Sequence, residues 1–470
     1  MKIKYSPFIF IALIVALGFL GNSFLRNETG NGKTVSFPKP IKSVKELIAE
    51  KEATGKFENV KLFDIKTTDG KIQDIQNRVK SFTLLSLKKE NLSGLLNEQK
   101  ENIVFEIPVS ENKILSLELT KIPVLSDKFE VNLITEKGIV PFSYKPGVYY
   151  RGIVKGNSNS AVSVSIFENS VAGIISDVTG NYNLGMLKED KSGYSYIFYN
   201  EKDLIKKNEF KCNVDDMGKM RIKNNYQGGN GNADGINARQ PVDVFFVADY
   251  QMYLDFNNNS SNVTNYITSV FNEVATIYQN EFLPVQISSV SVYTTPDPYR
   301  NLHNPFNILT LFGENTKDNF TGDLAHLLTT RDENFGGISW VNSLCASYNP
   351  YDHSGRFSFS GIETSYNPFP TYSWTVSVIA HEMGHSFGSQ HTHACVWPIT
   401  QYTIGQIDSC YTSNESCTNV TKANSNGTLM SYCHLNGAIN LYLGFGPMPG
   451  DTVRLRYNQC DRFGPVINSS

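Results

Sequence analysis

Three of the chain's eight histidines fall within the stretch HEMGHSFGSQH, positions 381 to 391. His381 and His385 stand four residues apart, so on a helix both imidazoles project from one face. The rise between them is about 6 Å at about 1.5 Å per residue. Two rings so spaced can reach one zinc ion at about 2.0–2.1 Å each. Gly388 follows closely, and glycine there allows a left-handed turn out of the helix. That turn would bring His391 back as a third nitrogen ligand. Three protein ligands leave the fourth position of a tetrahedral ion open to water and substrate, which marks a catalytic site over a structural one. Glu382 lies beside such an ion, not on it. Zinc lowers the pKa of its water to about 7, so a carboxylate suffices to take the proton. A helix that carries histidines for unrelated reasons would rarely supply the glutamate and the glycine as well.

The elements that must hold these residues are partly visible. The preceding SWTVSVIA has apolar spacing compatible with a helix, and Ser373 is its candidate N-cap. Upstream, Val242 to Val247 reads as a buried strand, and Val263 to Tyr278 places apolar residues at helical spacing. Val285 to Tyr293 alternates like a strand. Asp323 to Thr329 reads as a helix, and Gly337 to Val341 as a further strand. Alternating strands and helices imply an α/β layered domain. Further upstream, Tyr149 to Leu187 alternates with period two, punctuated at Gly156-Asn157, Glu168-Asn169 and Thr179-Gly180. That pattern predicts hairpins of a mainly antiparallel domain. Between the two regions, residues 224 to 238 read NNYQGGNGNADGINA, a linker of the kind proteases cut. Arg239 closes it, and the main boundary is expected there.

The 470 residues are 40% hydrophobic and 19% charged, a globular balance with net charge −3. No pull toward nucleic acid or an anionic membrane surface follows from that charge. Lys2 and Lys4 precede an apolar run from Phe8 to Leu20, too short to span a bilayer and suited to a signal peptide over 1–23. An uncleaved signal anchor would carry the same pattern. Either way the remainder is exported. Six of the seven cysteines lie between Cys345 and Cys460, which in an exported chain reads as three disulfides.

The histidine stretch matches H-E-x-x-H-x-x-G-x-x-H, and the chain resembles the metzincin metalloproteases. Metzincins carry a Met-containing turn beneath the zinc. GTLMSY at 427–432 is similar to it, with Met430 as the apolar floor, although ordinary core packing would also suit that methionine. PVDVFFVADYQMYLDF and DLAHLLTTRDENFGGISWVNSLC resemble the catalytic domain of the adamalysin/reprolysin group in its bacterial form. YYRGIVKGNSNSAVSVSIFENSVAGIISD resembles the core of a reprolysin propeptide. The resemblance implies an α/β metzincin catalytic domain over 239–470, with a twisted mixed sheet and a long active-site helix. A mainly antiparallel β propeptide domain over 24–238 would precede it. The implied function is a secreted zinc metalloendopeptidase made as a zymogen, with one catalytic zinc and Glu382 as general base. Its partners would be extended protein or peptide substrates, lying along the strand near Gly337, and its own propeptide. An adhesin or toxin whose N-terminal domain does the main work is the alternative.

The chain departs from the group in places. Adamalysins usually place Asp after the third histidine, where Thr392 stands here. Tyr432 is instead like the astacin and serralysin tyrosine that supports the transition state, or else a packed rim tyrosine. His393 is an alternative ligand. Cys212, in EFKCNVDD, would as a thiolate fill the fourth zinc position and hold the enzyme latent, as reprolysin propeptides do. It shares with their P-K-M-C-G-V stretch only the Lys-Cys pair and the valine two residues on. A buried free thiol is the other reading. The six C-terminal cysteines allow fifteen pairings. The resemblance suggests Cys345–Cys460, the closeness of Cys410 and Cys417 in sequence suggests a local loop, and Cys395–Cys433 then remains.

Overall fold

The period-two pattern from Tyr149 to Leu187 folds as strands of one sheet. The computed structural model describes residues 41–67, 72–188, 194–206, 212–214, 240–331, 335–362, 369–411, 426–435 and 438–460. The upstream strands are β1 (Glu58–Lys61), β2 (Phe63–Ile65), β3 (Phe82–Leu87), β4 (Asn102–Ser110), β5 (Lys113–Lys121), β6 (Leu125–Thr135) and β7 (Gly138–Phe142), then β8 (Val148–Val154), β9 (Asn157–Ile166), β10 (Val171–Asp177), β11 (Gly180–Met186) and β12 (Ser195–Asn200). Helices α1 (Val44–Thr54), α2 (Ile72–Gln76) and α3 (Lys89–Glu98) accompany them. Ten strands form a sheet in the order β1-β4-β5-β8-β9-β10-β11-β12-β3-β2. All neighbours are antiparallel except β1 and β4. Phe105, Leu117, Tyr150, Val164, Ile175 and Tyr196 fill its core.

The downstream half supplies β13 (Val242–Ala248), α4 (Tyr250–Asp255), α5 (Ser260–Asn280), β14 (Val285–Tyr293), α6 (Pro305–Thr316), β15 (Leu324–Thr329), β16 (Gly337–Ser339), β17 (Phe357–Gly361), α7 (Tyr372–Ser386) and α8 (Pro447–Gln459). A mixed sheet of seven strands runs β16-β17-β15-β13-β14-β6-β7. Its inner strands are parallel, and β16 and β7 at the two edges are antiparallel. Two of the seven, β6 and β7, come from the upstream half.

The helix expected over Asp323 to Thr329 is a strand. Leu324 to Thr329 is buried at every position, because both faces of a central parallel strand are covered. A short continuous apolar run of that kind has no period to separate strand from helix. The 263–278 helix is present and longer, from Ser260 to Asn280, with Asn259 as N-cap accepting from the Asn262 N–H. Most of its residues are buried, since the helix lies between β8 and β9 on one side and β14 and α7 on the other.

Ser373 is not the cap of α7. The helix begins one residue earlier, with Thr371 at the cap position and no side-chain cap bond of its own. The buried N–H of Ser373 donates instead to Oδ1 of Asn183 at 2.8 Å, and Asn183 Nδ2 donates back to Ser373 Oγ at 3.0 Å. The cap of this helix is thus borrowed from β11, nearly two hundred residues away in sequence, and no local pattern could reveal it.

Cys345 pairs with Cys460 as expected, with a Cα–Cα distance of 6.1 Å. The other two expected pairings are corrected. Cys433 bonds Cys410, with Cα atoms 4.8 Å apart, and so neither Cys395–Cys433 nor Cys410–Cys417 forms. The physical reason is the path of the chain after the third histidine: Ile407 N–H donates to Thr392 O, which lays the segment before Cys410 against the methionine turn. Cys395 is also disulfide-bonded. The signal segment, the 224–238 linker, Arg239 and Cys417 lie outside the described residues. Among the described residues no helix is long and apolar enough to cross a membrane.

Candidate active site

α7 places His381, Glu382 and His385 in the interior, all essentially without solvent exposure. The helix ends at Ser386 with Phe387 as its C-cap, and Gly388 takes φ +93°, the left-handed conformation expected of it. The turn returns His391 to the first two histidines. The three Nε2 atoms form a triangle with every edge 3.1 Å. Nitrogens about 2.05 Å from one tetrahedral ion would stand about 3.3 Å apart, so the donor set fits zinc. Each of two rings is oriented by a carbonyl on its far side. His381 Nδ1 lies 2.7 Å from Leu429 O, and His385 Nδ1 lies 2.7 Å from Ser389 O. A carbonyl can only accept, so Nδ1 carries the proton and the Nε2 lone pair faces the centre. Burial, with the neighbouring His385 and His391 rings adding to it, holds the His381 pKa well below the usual histidine value. The ring therefore stays neutral, as a ligand must.

Met430 lies fully buried under this cluster. Its Sδ sits 2.8 Å from where a Cβ on Gly384 would be, so only glycine at 384 lets the methionine turn approach the helix this closely. Met430 O accepts from both Thr392 N (3.0 Å) and Thr392 Oγ1 (3.2 Å), tying the third-histidine segment to the turn. Thr392 thus has a structural partner in place of the group's usual aspartate. His393 stays out of the triangle. Its ring stacks on His391, centroids 4.9 Å apart and planes at 16°.

Cys212 arrives from the upstream half. It is buried, and its Sγ lies 3.4 Å from His385 Nε2 and 3.8 Å from Glu382 Oε2. Sγ and the three imidazole nitrogens lie within 4.8 Å of one another. The thiol therefore stands over the face of the triangle that a catalytic ion would turn toward substrate. Two features hold it there. The Tyr432 hydroxyl donates to Cys212 O at 3.0 Å and accepts from Cys212 N at 3.2 Å. Beside it, Cys212 bridges Gly337 in parallel register, and Asn213 N donates to Gly337 O at 2.8 Å. The segment thus lies on the free edge of β16. Val214 packs with Val341, Trp374 and Val378 next to it.

Two contacts escaped the sequence reading. The Tyr432 contact to a residue 220 positions away has no local signature. Gly337 was seen only as part of a strand. A Cβ there would sit 2.2 Å from Glu382 Oε1, so the glycine leaves the room that the carboxylate occupies.

Residues 238–440 match the Reprolysin_5 family model, described as metallopeptidase family M12. The disintegrin and metalloproteinase domain-containing protein adm-2 of Caenorhabditis elegans is 28% identical over 163 residues, 32% of this chain and 15% of that protein. Snake venom metalloproteinase atroxlysin-1 of Bothrops atrox is 26% identical over 165 residues, 33% of this chain and 74% of its own length. A zinc metalloproteinase-disintegrin-like protein of Cerberus rynchops is 23% identical over 332 residues, 67% of this chain and 52% of that one. This last alignment is longer than the segment after Arg239, so the likeness reaches upstream of the linker. The chain spans well under two thirds of the first and last of these relatives. Among solved structures, metalloproteinase-II from Bacteroides fragilis aligns over 66% of this chain and 88% of its own, at 12% identity and a TM-score of 0.39.

Proposed function

We infer that this chain, which carries a reprolysin-like metzincin domain over residues 238–440, is a secreted zinc metalloendopeptidase made as a latent precursor. The observation that carries the reading is the Nε2 triangle of His381, His385 and His391 with the Cys212 thiol over its open face. His381, His385 and His391 would hold a zinc ion, which would supply Lewis-acid polarisation of the scissile carbonyl and a water of lowered pKa. Glu382 takes the proton from that water and delivers it to the leaving amine. Its carboxylate is close enough to the triangle to do so, since Oε2 approaches the thiol that occupies the fourth direction. A substrate in extended conformation pairs with β16, along the edge that the Cys212 segment covers in the precursor.

Latency follows from the same contacts. A thiolate is a better zinc ligand than water, and while it is seated the fourth position is closed. The Tyr432 hydroxyl holds the main chain of the blocking residue and, once that segment leaves, supports the transition state at the same place. Disulfides at Cys345–Cys460 and Cys410–Cys433 suit an oxidising, extracellular setting. The test is Cys212→Ala in the full chain. The precursor is expected to cleave a mixed protein substrate without prior processing, and a chelator to stop it. A Cys212→Ala precursor as silent as the parent would remove the thiol from the account.

A further inference from the structure

The upstream half does more than deliver Cys212. Its β6 strand runs parallel beside β14, pairing Ser289 to Tyr293 with Glu130 to Ile134. The N–H of Ile287 donates to Val124 O at 2.9 Å and that of Thr294 to Ile134 O at 3.0 Å. Without β6, β14 would be an unpaired edge of the catalytic sheet, a template for another strand. Helix α5 continues the surface. Arg151 of β8 is fully buried against it, with Nε 2.9 Å from Asn272 Oδ1 and Nη1 3.0 Å from Gln279 Oε1. Glu273 of α5 is buried there too and faces the same guanidinium charge. At the far side Asn181 donates to Ile439 O at 2.7 Å and accepts from Leu441 N at 3.1 Å. Tyr149, Phe167 and Ile174 of the upstream half share one hydrophobic cluster with Phe246, Phe271 and Met430.

None of these contacts depends on the linker. We propose that the β14 edge and the adjoining face of α5 form a docking surface for the severed upstream half. Cleavage in the 224–238 linker would then leave a non-covalent complex, with the β6–β7 hairpin still completing the catalytic sheet and Cys212 still seated. This rests on the zymogen reading for its consequence, that scission alone does not activate. The binding claim itself does not need that reading. Release requires a second event, such as proteolysis of the upstream half, because strand pairing, a buried arginine and a shared core must all be given up together.

The experiment uses the full chain with a site-specific protease sequence placed within residues 224–238. After complete cutting in native buffer, the two fragments are expected to co-elute at the mass of the intact chain and to part only in denaturant. In the cut complex the amide protons of Ile287 and Thr294 remain protected from exchange. Fragments that separate on cutting, or exchange at those two amides as fast as at an open edge, overturn the proposal. Gln279→Ala, which removes the bonds to Arg151 and to Lys42 O at a partly buried site, should speed dissociation about tenfold or more. Arg151→Met should speed it by about a hundredfold or more, where that chain folds. If neither variant alters dissociation, the arginine-centred contact is not part of the surface. Activity is read separately: a co-eluting complex that is fully active would sink the latency reading and leave the docking surface standing.

Discussion

Gly337→Ala adds one methyl group and changes nothing else in the chain. Gly337 is not among the residues of positive φ, so the backbone of β16 accepts alanine without strain. The methyl carbon would lie 2.2 Å from Glu382 Oε1 and 2.5 Å from both Cδ and Cγ, about 1 Å inside the 3.4 Å at which ordinary contact begins. β16 is held by its pairing with β17, and the backbone of α7 is buried on all sides, so the flexible carboxylate is what gives way. Overpacking of this kind costs about 1–3 kcal/mol of stability. A displacement of about 1 Å in a catalytic group costs about a hundredfold in rate. The histidine triangle is anchored by Leu429 O and Ser389 O, on the other side of the rings, and has no reason to move. In processed enzyme the expected result is kcat reduced about a hundredfold, with one zinc per chain retained by atomic absorption. A variant with kcat within about threefold of the parent and a melting temperature unchanged would refute the claim that the glycine makes room for the carboxylate.

Glu382→Gln should keep zinc and lose about 10²–10⁴ in turnover, measured on a peptide substrate; a fully active variant would remove Glu382 from the chemistry. His326, buried on β15 with Nε2 2.8 Å from Ser360 Oγ, against Phe246, has its pKa pulled by burial from 6.5 to about 3. Its folded form stays neutral while the unfolded chain protonates, so its contribution is complete above pH 6.5 and is lost as pH falls from there toward 3. The loss amounts to about 4–5 kcal/mol at the acid end. Denaturant unfolding at a series of pH values should therefore show a shallower acid limb in His326→Gln, and an identical limb would contradict the assignment. Asn183→Ala removes the borrowed cap of α7 and should lower the precursor's stability by about 1 kcal/mol, read from its urea midpoint. No change there would mean that the Ser373 N–H finds another partner.

The histidine cluster was legible because it is local. His381, Glu382 and His385 occupy one helix, and Gly388 and His391 follow within a single turn, so spacing alone constrains their geometry. The alternation from Tyr149 to Leu187 and the apolar repeat of α5 were legible for a similar reason, since each element must bury a face of its own. Asp323 to Thr329 was misread because a strand covered on both faces has no period. The rest depended on contacts between residues far apart in the chain. Cys410 meets Cys433, and not Cys417, because the path after His391 folds back on the methionine turn. Asn183 caps α7, Tyr432 grips Cys212, and β6 extends the downstream sheet, each by closing a gap that backbone hydrogen bonding or packing leaves open. Such gaps exist only once the whole chain has folded, and the residue that fills one need bear no mark of it in its own neighbourhood.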